Sequence, residues 1–186
     1  MDALDLMLSR ESALKLESPG PSARELDRIF ESAVRAPDHG RLRPWHFVVI
    51  GEGKRAAFGD LMADSLKRRD PSIPDAGLQR ERDKAFRAPV IVAVAAKVRK
   101  GHNIPEIEQI ASASAAAQTI MLAAPALGYG AVWKTGAPAY DPTVKTALGL
   151  AEDDDIIGFL YIGTRVGGSS PIPRPEARDF VTNWAG

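Results

Sequence analysis

The sequence predicts a three-layer domain of the α/β or α+β class, with helices on both sides of a central sheet. Three observations carry this. Helical and strand-like segments intermingle along the whole chain and are joined by long crossovers. Residues 90–97, Val-Ile-Val-Ala-Val-Ala-Ala-Lys, form an apolar run of the kind that a strand buried on both faces requires. A long helical segment carries eight alanines between Ala111 and Ala126, small enough for another helix to approach closely. That approach fits a buried central helix and a subunit interface equally well.

The elements follow in order. Asp2 caps a short helix whose apolar positions Leu4, Leu6, Met7 and Leu8 run up to Ser9-Arg10. Ser22-Ala-Arg-Glu25 is a capping box. It opens a helix in which Leu26, Ile29, Phe30, Ala33 and Val34 keep helical spacing to about Ala36. Trp45–Ile50 reads as a strand ended by Gly51. A polar helix covers Lys54 to about Arg69, and a shorter one lies near Gly77–Phe86. The 90–97 strand is followed by a long helix from about Glu106 to Leu127, which Gly128-Tyr-Gly130 stops. Ala131–Trp133 begins a short strand, Pro142–Leu148 another helix, and Ile156–Gly163 the last clear strand. Gly167–Arg174 is a Gly/Pro-rich tail, and Asp179–Trp184 is a final strand or an arm.

Length and composition narrow the function. A chain of 186 residues reads as one domain, residues 1–186, able to bury a core without staples. It has no cysteine, which excludes disulfides, thiolate nucleophiles and Cys-ligated zinc or iron–sulfur centres. Lys plus Arg equals Asp plus Glu, 24 each, so no global field draws it to nucleic acid or to an anionic membrane. The longest apolar run, Ala88–Ala96, is far short of the ~20 residues that span a bilayer. No basic region with a small-residue cleavage site follows Met1, so the expectation is a cytoplasmic protein. His39, His46 and His102 do not pair at metal-ligand spacing, and no metal site is expected. A GxSxG elbow, a P-loop and a GxGxxG fingerprint are all missing. No side chain stands out as a catalytic nucleophile.

Cationic groups at element ends remain. The stretch Arg35-Ala-Pro-Asp-His-Gly-Arg-Leu-Arg-Pro-Trp45 holds three arginines, a histidine and a tryptophan in one loop. Pro37 and Pro44 stiffen it, and Gly40 permits backbone angles other residues avoid. Such a loop suits a planar anionic ligand; a connector with solvated charges is the plainer alternative. Arg10 and Ser12 lie past the first helix, Lys134 follows Trp133, and Arg165 and Arg174 sit near the C-terminus. Arginine forks with a hydroxyl commonly hold phosphate.

Four segments occur in a recognisable order: Ser9-Arg-Glu-Ser12, Arg35-Ala-Pro-Asp-His39, Arg43-Pro-Trp45 and Gly128-Tyr-Gly-Ala-Val-Trp133. Together they resemble the FMN-dependent nitroreductase family, and in length and placement its small YdjA-like subgroup. The likeness extends from Met1-Asp-Ala-Leu through Phe86-Arg-Ala-Pro89 to Ile157–Gly163. It implies an α+β fold with a mixed central sheet, a homodimer, and FMN in clefts at the subunit interface. By the same analogy Arg10, Glu11 and Ser12 hold the phosphate and ribityl end of FMN. Glu11 stands where the family often has arginine, which points to contact through its backbone. Arg35 and His39 are implied to reach the partner's flavin. Ala131, Val132 and Trp133 are implied to line the flavin ring.

The resemblance also places a nicotinamide-nucleotide site at Met121, Leu122, Ala123, Ala124, Pro125 and Ala126, a stretch that otherwise reads as core helix. The implied activity is an NAD(P)H oxidoreductase working by a ping-pong cycle. Its acceptor is a small molecule: a nitroaromatic, a quinone or an activated alkene. A flavin-sequestering protein without a reductase cycle is the second reading, and a non-flavin interaction domain built on the alanine-rich helix the third. Lys134 and Arg174 are further candidates for flavin contact.

Overall fold

The computed structural model describes residues 2–168 and 173–186. The helices are α1 (Ala3–Ser9), α2 (Ala23–Ala33), α3 (Arg55–Arg69), α4 (Asp75–Asp83), α5 (Glu106–Ala126) and α6 (Pro142–Ala147). The strands are β1 (Leu16–Glu17), β2 (Trp45–Ile50), β3 (Val90–Ala96), β4 (Gly130–Lys134) and β5 (Asp155–Arg165). The sheet has the order β1-β5-β3-β2, with β4 also paired to β5. The three-layer α+β arrangement is as expected. Its pairings are all antiparallel among the described residues, which refines the expected mixed sheet. Periodicity identifies strands but not their relative directions, which the crossovers decide.

Two apolar layers form because β3 is buried on both faces. Val90, Val92 and Val94 face α2 and α5, meeting Ile29, Ala116, Ala117 and Ile120. Ile91, Ala93 and Ala95 face the other side, with Phe58 and Met62 of α3 and Val144 of α6. One strand therefore nucleates both cores, which is why its sequence is continuous rather than alternating.

Local chemistry sets several boundaries. The capping box at α2 is complete: Ser22 Oγ accepts from the Glu25 N–H, and the Glu25 carboxylate accepts from the Ser22 N–H at 2.9 Å. The helix ends at Ala33, short of the expected Ala36. Arg35 and Ala36 instead close tight turns onto Ser32 and Ala33, because Pro37 disfavours helical angles at the residue before it. β1, two residues long, has no sequence pattern and exists through its pairing with Thr164 and Arg165. The 179–184 segment forms no strand. Its first two residues end a 3-10 turn (Ala177–Phe180) and the rest continues as an exposed arm, with Phe180, Val181 and Trp184 all exposed. Residues 169–172 of the expected Gly/Pro-rich tail lie outside the described residues. Among the described residues no helix is long and apolar enough to cross a membrane.

The long helix α5 has two faces. Gln109, Ser112, Ala113, Ala116, Ala117, Ile120, Met121 and Ala124 are buried. Ile107, Ala111, Gln118 and Ala126 face outward on the opposite side. Gln109 fastens the preceding loop to the helix. Its amide donates to the Arg99 and Ile104 carbonyls and its oxygen accepts from the Arg99 N–H at 2.8 Å.

Candidate functional site

β4 is where the candidate residues gather. It pairs with β5 along one edge only, and on its other edge the Ala131 carbonyl accepts from the Ala13 N–H at 3.0 Å. In an extended strand a residue's N–H and C=O point the same way and alternate from residue to residue. The N–H groups of Ala131 and Trp133 therefore share that outer edge. This strand edge borders a cleft of about 310 Å³, lined among others by Ser9, Arg10, Glu11, Pro125, Ala131 and Arg165.

Within the cleft the donors are unequally engaged. The Arg165 guanidinium pairs with the Glu11 carboxylate. The Arg10 carbonyl accepts from Arg174 at 2.6 Å, so the C-terminal arginine reaches this corner through the backbone. The Arg10 guanidinium and the Ser12 hydroxyl, by contrast, make no hydrogen bond or ion pair among the described residues. A cation and a hydroxyl left without partners beside an open strand edge fit a phosphate-bearing ligand with a flat polar body. Ser12 adjoins the cleft rather than lining it.

Other expected site residues are placed differently. The Trp133 ring is half-buried in the α2/α5 core, and its Nε1 donates to the Ile157 carbonyl at 3.3 Å. Its side chain lies so close over β5 that a Cβ at Gly158 would come within 2.2 Å of Nε1. The Trp133 side chain is thus committed to packing, and its backbone is what remains for a ligand. Val132 faces the opposite core. Met121 and Ala124 are buried, while Leu122, Ala123 and Pro125 are half-buried and Ala126 is exposed. Pro125 is the member of that helical stretch that lines the cleft.

Arg35 and His39 do not join this cleft within one chain. His39 sits against the other half of α5, where its Nδ1 meets the Glu108 carboxylate at 2.6 Å beside Ala111 and Ala115. From Ala111 to Pro125 is about 21 Å at the helical rise of ~1.5 Å per residue. The loop carrying them is rigid for a local reason: the Asp38 carboxylate accepts from the N–H groups of Leu42 (3.1 Å) and Arg43 (2.8 Å). Gly40, Arg41 and Arg43 all take left-handed angles around it. Asp38 thus builds the loop.

Arg165 and Ser9 are lining residues that sequence reasoning left out of the site. In sequence Arg165 is one cation of the C-terminal segment, beyond the expected strand end at Gly163; the structure extends that strand to Arg165, and its pairing with β1 brings the residue to the cleft.

On the other face of β4 lies Tyr161, 3% exposed. Burial pushes its hydroxyl up to about 12, with Glu81 adding to the rise and Arg87 opposing it. A tyrosine in the unfolded chain ionises near ~10. The stability held by the neutral buried phenol is therefore full below pH 10 and is lost as pH rises to 12. The expected loss is about 2–3 kcal/mol across that window. Denaturant unfolding of the wild type and of Tyr161→Phe at pH 9 and 11.5 checks it, and the variant should show the smaller fall.

Comparison with known proteins decides the lineage. Residues 8–164 match the model of the Nitroreductase family. The chain belongs to that family. YdjA of Escherichia coli (strain K12), which bears an NAD(P)H nitroreductase name, is 39% identical over 184 residues, covering 98% of this chain and 99% of YdjA. The Nitroreductase-like family protein from Bacillus cereus superposes with a TM-score of 0.82 at 22% identity, over 100% of this chain and 97% of that one. A single-residue variant of NfnB, an FMN- and NADPH-dependent nitroreductase from sphigopyxis sp. strain HMH, gives 0.80 at 22% identity with full coverage of both chains. These likenesses place the nitroreductase fold across the whole chain.

Proposed function

We propose that this chain is an FMN-dependent NAD(P)H oxidoreductase that acts as a homodimer on a small electron acceptor. The observation that carries the proposal is the pairing of phosphate donors that have no partner among the described residues, Arg10 and Ser12, with the open edge of β4. When bound, FMN supplies the hydride-transfer chemistry, and the protein holds and tunes it. Arg10 and Ser12 hold the phosphate. The Ala131 and Trp133 N–H groups face the ring edge, where oriented donors favour the negative charge that builds on reduction. Pro125 and its neighbours on α5 form the wall against which the nicotinamide nucleotide is placed.

Distance supports the dimer reading. His39 sits beside Ala111, about 21 Å along α5 from Pro125 by the helical rise, and neither it nor Arg35 lines the cleft of its own chain. A second copy packed on the outward face of α5 supplies its own Arg35 and His39 to the first copy's cleft. The apolar residues left exposed on α1, with Leu8 at 79%, and on the arm, with Trp184 at 92%, give such an interface its area. Reductant and acceptor use the same cleft in turn, so the expected kinetics are ping-pong.

The test is the visible spectrum of the purified protein, followed by anaerobic addition of NADPH and then NADH. A flavin spectrum that bleaches with either nucleotide is the expected result. A bound flavin that neither nucleotide bleaches turns the reading to flavin sequestration. A colourless protein that refuses added FMN overturns it.

A further inference from the structure

A second chamber, of about 250 Å³, opens on the face of β4 opposite Ala131 and Trp133. It shares no lining residue with the cleft beside Arg10, and β4 stands between the two. Buried Met62, Phe159 and Tyr161 form its floor, and Arg69, Arg87 and Lys134 stand exposed at its rim. Alternation along the strand puts Lys134 there, one residue beyond Trp133 and on its other side.

Exposed cations without ion pairs are ordinary, but a buried donor without a partner is not. The Tyr161 hydroxyl makes no hydrogen bond among the described residues, although the residue is 3% exposed. Burial keeps it neutral, with its proton available to donate. The chamber is the space left for an acceptor. Its lining charges also fail to balance. Glu81, whose nearly buried carboxylate opposes an anion, is paired with Lys84, which also lines the chamber. Lys67 and Arg68, the cations preceding Arg69 on α3, are engaged by the Pro71 carbonyl and the Asp141 carboxylate. Arg69, Arg87 and Lys134 make no hydrogen bond or ion pair from their side chains among the described residues. Three cations from separate elements thus converge with a phenol donor on one cavity, and a bound anion offsets their repulsion.

We infer that this chamber is a binding site for inorganic phosphate or a small phosphomonoester, separate from the cleft in which reductant and acceptor take turns. The donor set selects phosphate over carboxylate. Two guanidinium forks, an ammonium and a hydroxyl approach from different sides. A tetrahedral group presents acceptor oxygens in those directions, whereas a carboxylate presents two in one plane. The volume lies below the ~300–1,000 Å³ of sites for drug-sized ligands, too small for a nucleotide. It leaves room for a few carbons over the apolar floor. The occupant ties together α3, the turn after α4, β4 and β5, so its binding raises the melting temperature. The site stands whether or not the cleft across β4 binds flavin.

The experiment is calorimetric titration of inorganic phosphate and of glycerol phosphate into the FMN-loaded protein at constant ionic strength. Saturating FMN fills the phosphate corner at Arg10, so the heat read is that of the chamber. Both ligands are expected to bind and to raise Tm. Arg87→Gln and Arg69→Gln should each weaken binding about tenfold, the effect of losing one charge-assisted hydrogen bond. Tyr161→Phe, which keeps the ring and removes only the hydroxyl, should weaken it by a similar factor. No heat from either ligand at millimolar concentration overturns the inference, as does an affinity unchanged in all three variants. Propionate binding as tightly as phosphate overturns it by making the site one for carboxylates. Loss of FMN from Arg87→Gln and Arg69→Gln overturns it by giving the cations to the flavin. Bleaching by NADPH that slows in both variants does so by giving them to the reductant. Should the protein refuse FMN, the flavin reading fails separately. The same titrations on the protein as purified then still decide: binding weakened by Arg87→Gln and Tyr161→Phe upholds the chamber, and binding indifferent to both overturns it.

Discussion

Gly158→Ala is expected to destabilise the protein by about 3 kcal/mol, the upper range for forcing extra volume into a packed site. For a chain of this size that is a fall in Tm of roughly 6–12 °C. The added methyl would sit 2.2 Å from Trp133 Nε1, 2.8 Å from its Cδ1 and 2.9 Å from the Lys134 carbonyl oxygen. The ring and the strand that carries it cannot both stay. Relief comes by expelling the indole and losing its hydrogen bond to Ile157, or by lifting β4 from β5. Either displaces the open strand edge, so FMN affinity should fall together with stability. Calorimetric melting of Gly158→Ala and of Gly158→Ala with Trp133→Ala separates these routes. The second substitution removes the obstruction, and its added cost should be smaller than in the wild-type background. A single variant that melts with the wild type refutes the argument.

Arg10→Ala is expected to raise the FMN dissociation constant about 10- to 100-fold, the worth of one or two charge-assisted hydrogen bonds to phosphate. Flavin-fluorescence titration reads it directly. The same titration on Glu11→Gln should move the opposite way. The Glu11 carboxylate pairs with Arg165 inside the cleft, where it holds a cation and repels an incoming dianion. Removing its charge weakens the hold on Arg165, leaving the guanidinium its bond to the Gly168 carbonyl and a face to turn toward the phosphate. Equal affinity in wild type and Arg10→Ala would take the phosphate away from this corner.

The parts of the fold that read correctly from sequence are those with local causes. The α2 capping box, the doubly buried run of β3 and the alanine face of α5 each state their role within a dozen residues. Strand direction and the two-residue β1 depend on pairings far apart in sequence and leave no such mark. The site divides the same way. Arg10 and Ser12 stand out as a cation and a hydroxyl just past a helix, and the structure leaves both side chains half-buried and without a partner among the described residues. Trp133 suggests a ring-lining aromatic, yet its side chain is absorbed by packing over Gly158. Asp38 lies among candidate ligand contacts but spends its carboxylate on the turn. Arg165 and the chamber of Arg69, Arg87 and Lys134 come together only through the tertiary fold, since α3, β4, β5 and the turn after α4 each contribute separately.

The two-residue repeat of β4 places Ala131 and Trp133 in one compartment and Val132 and Lys134 in the other. A slip of one residue against β5 would exchange the two sets, sending the ammonium of Lys134 into an apolar layer and the indole into the polar chamber. The recess at Gly158 and the Ala13 bond to Ala131 oppose that exchange. The register of five residues is thereby what keeps an apolar compartment and a cationic one from trading places.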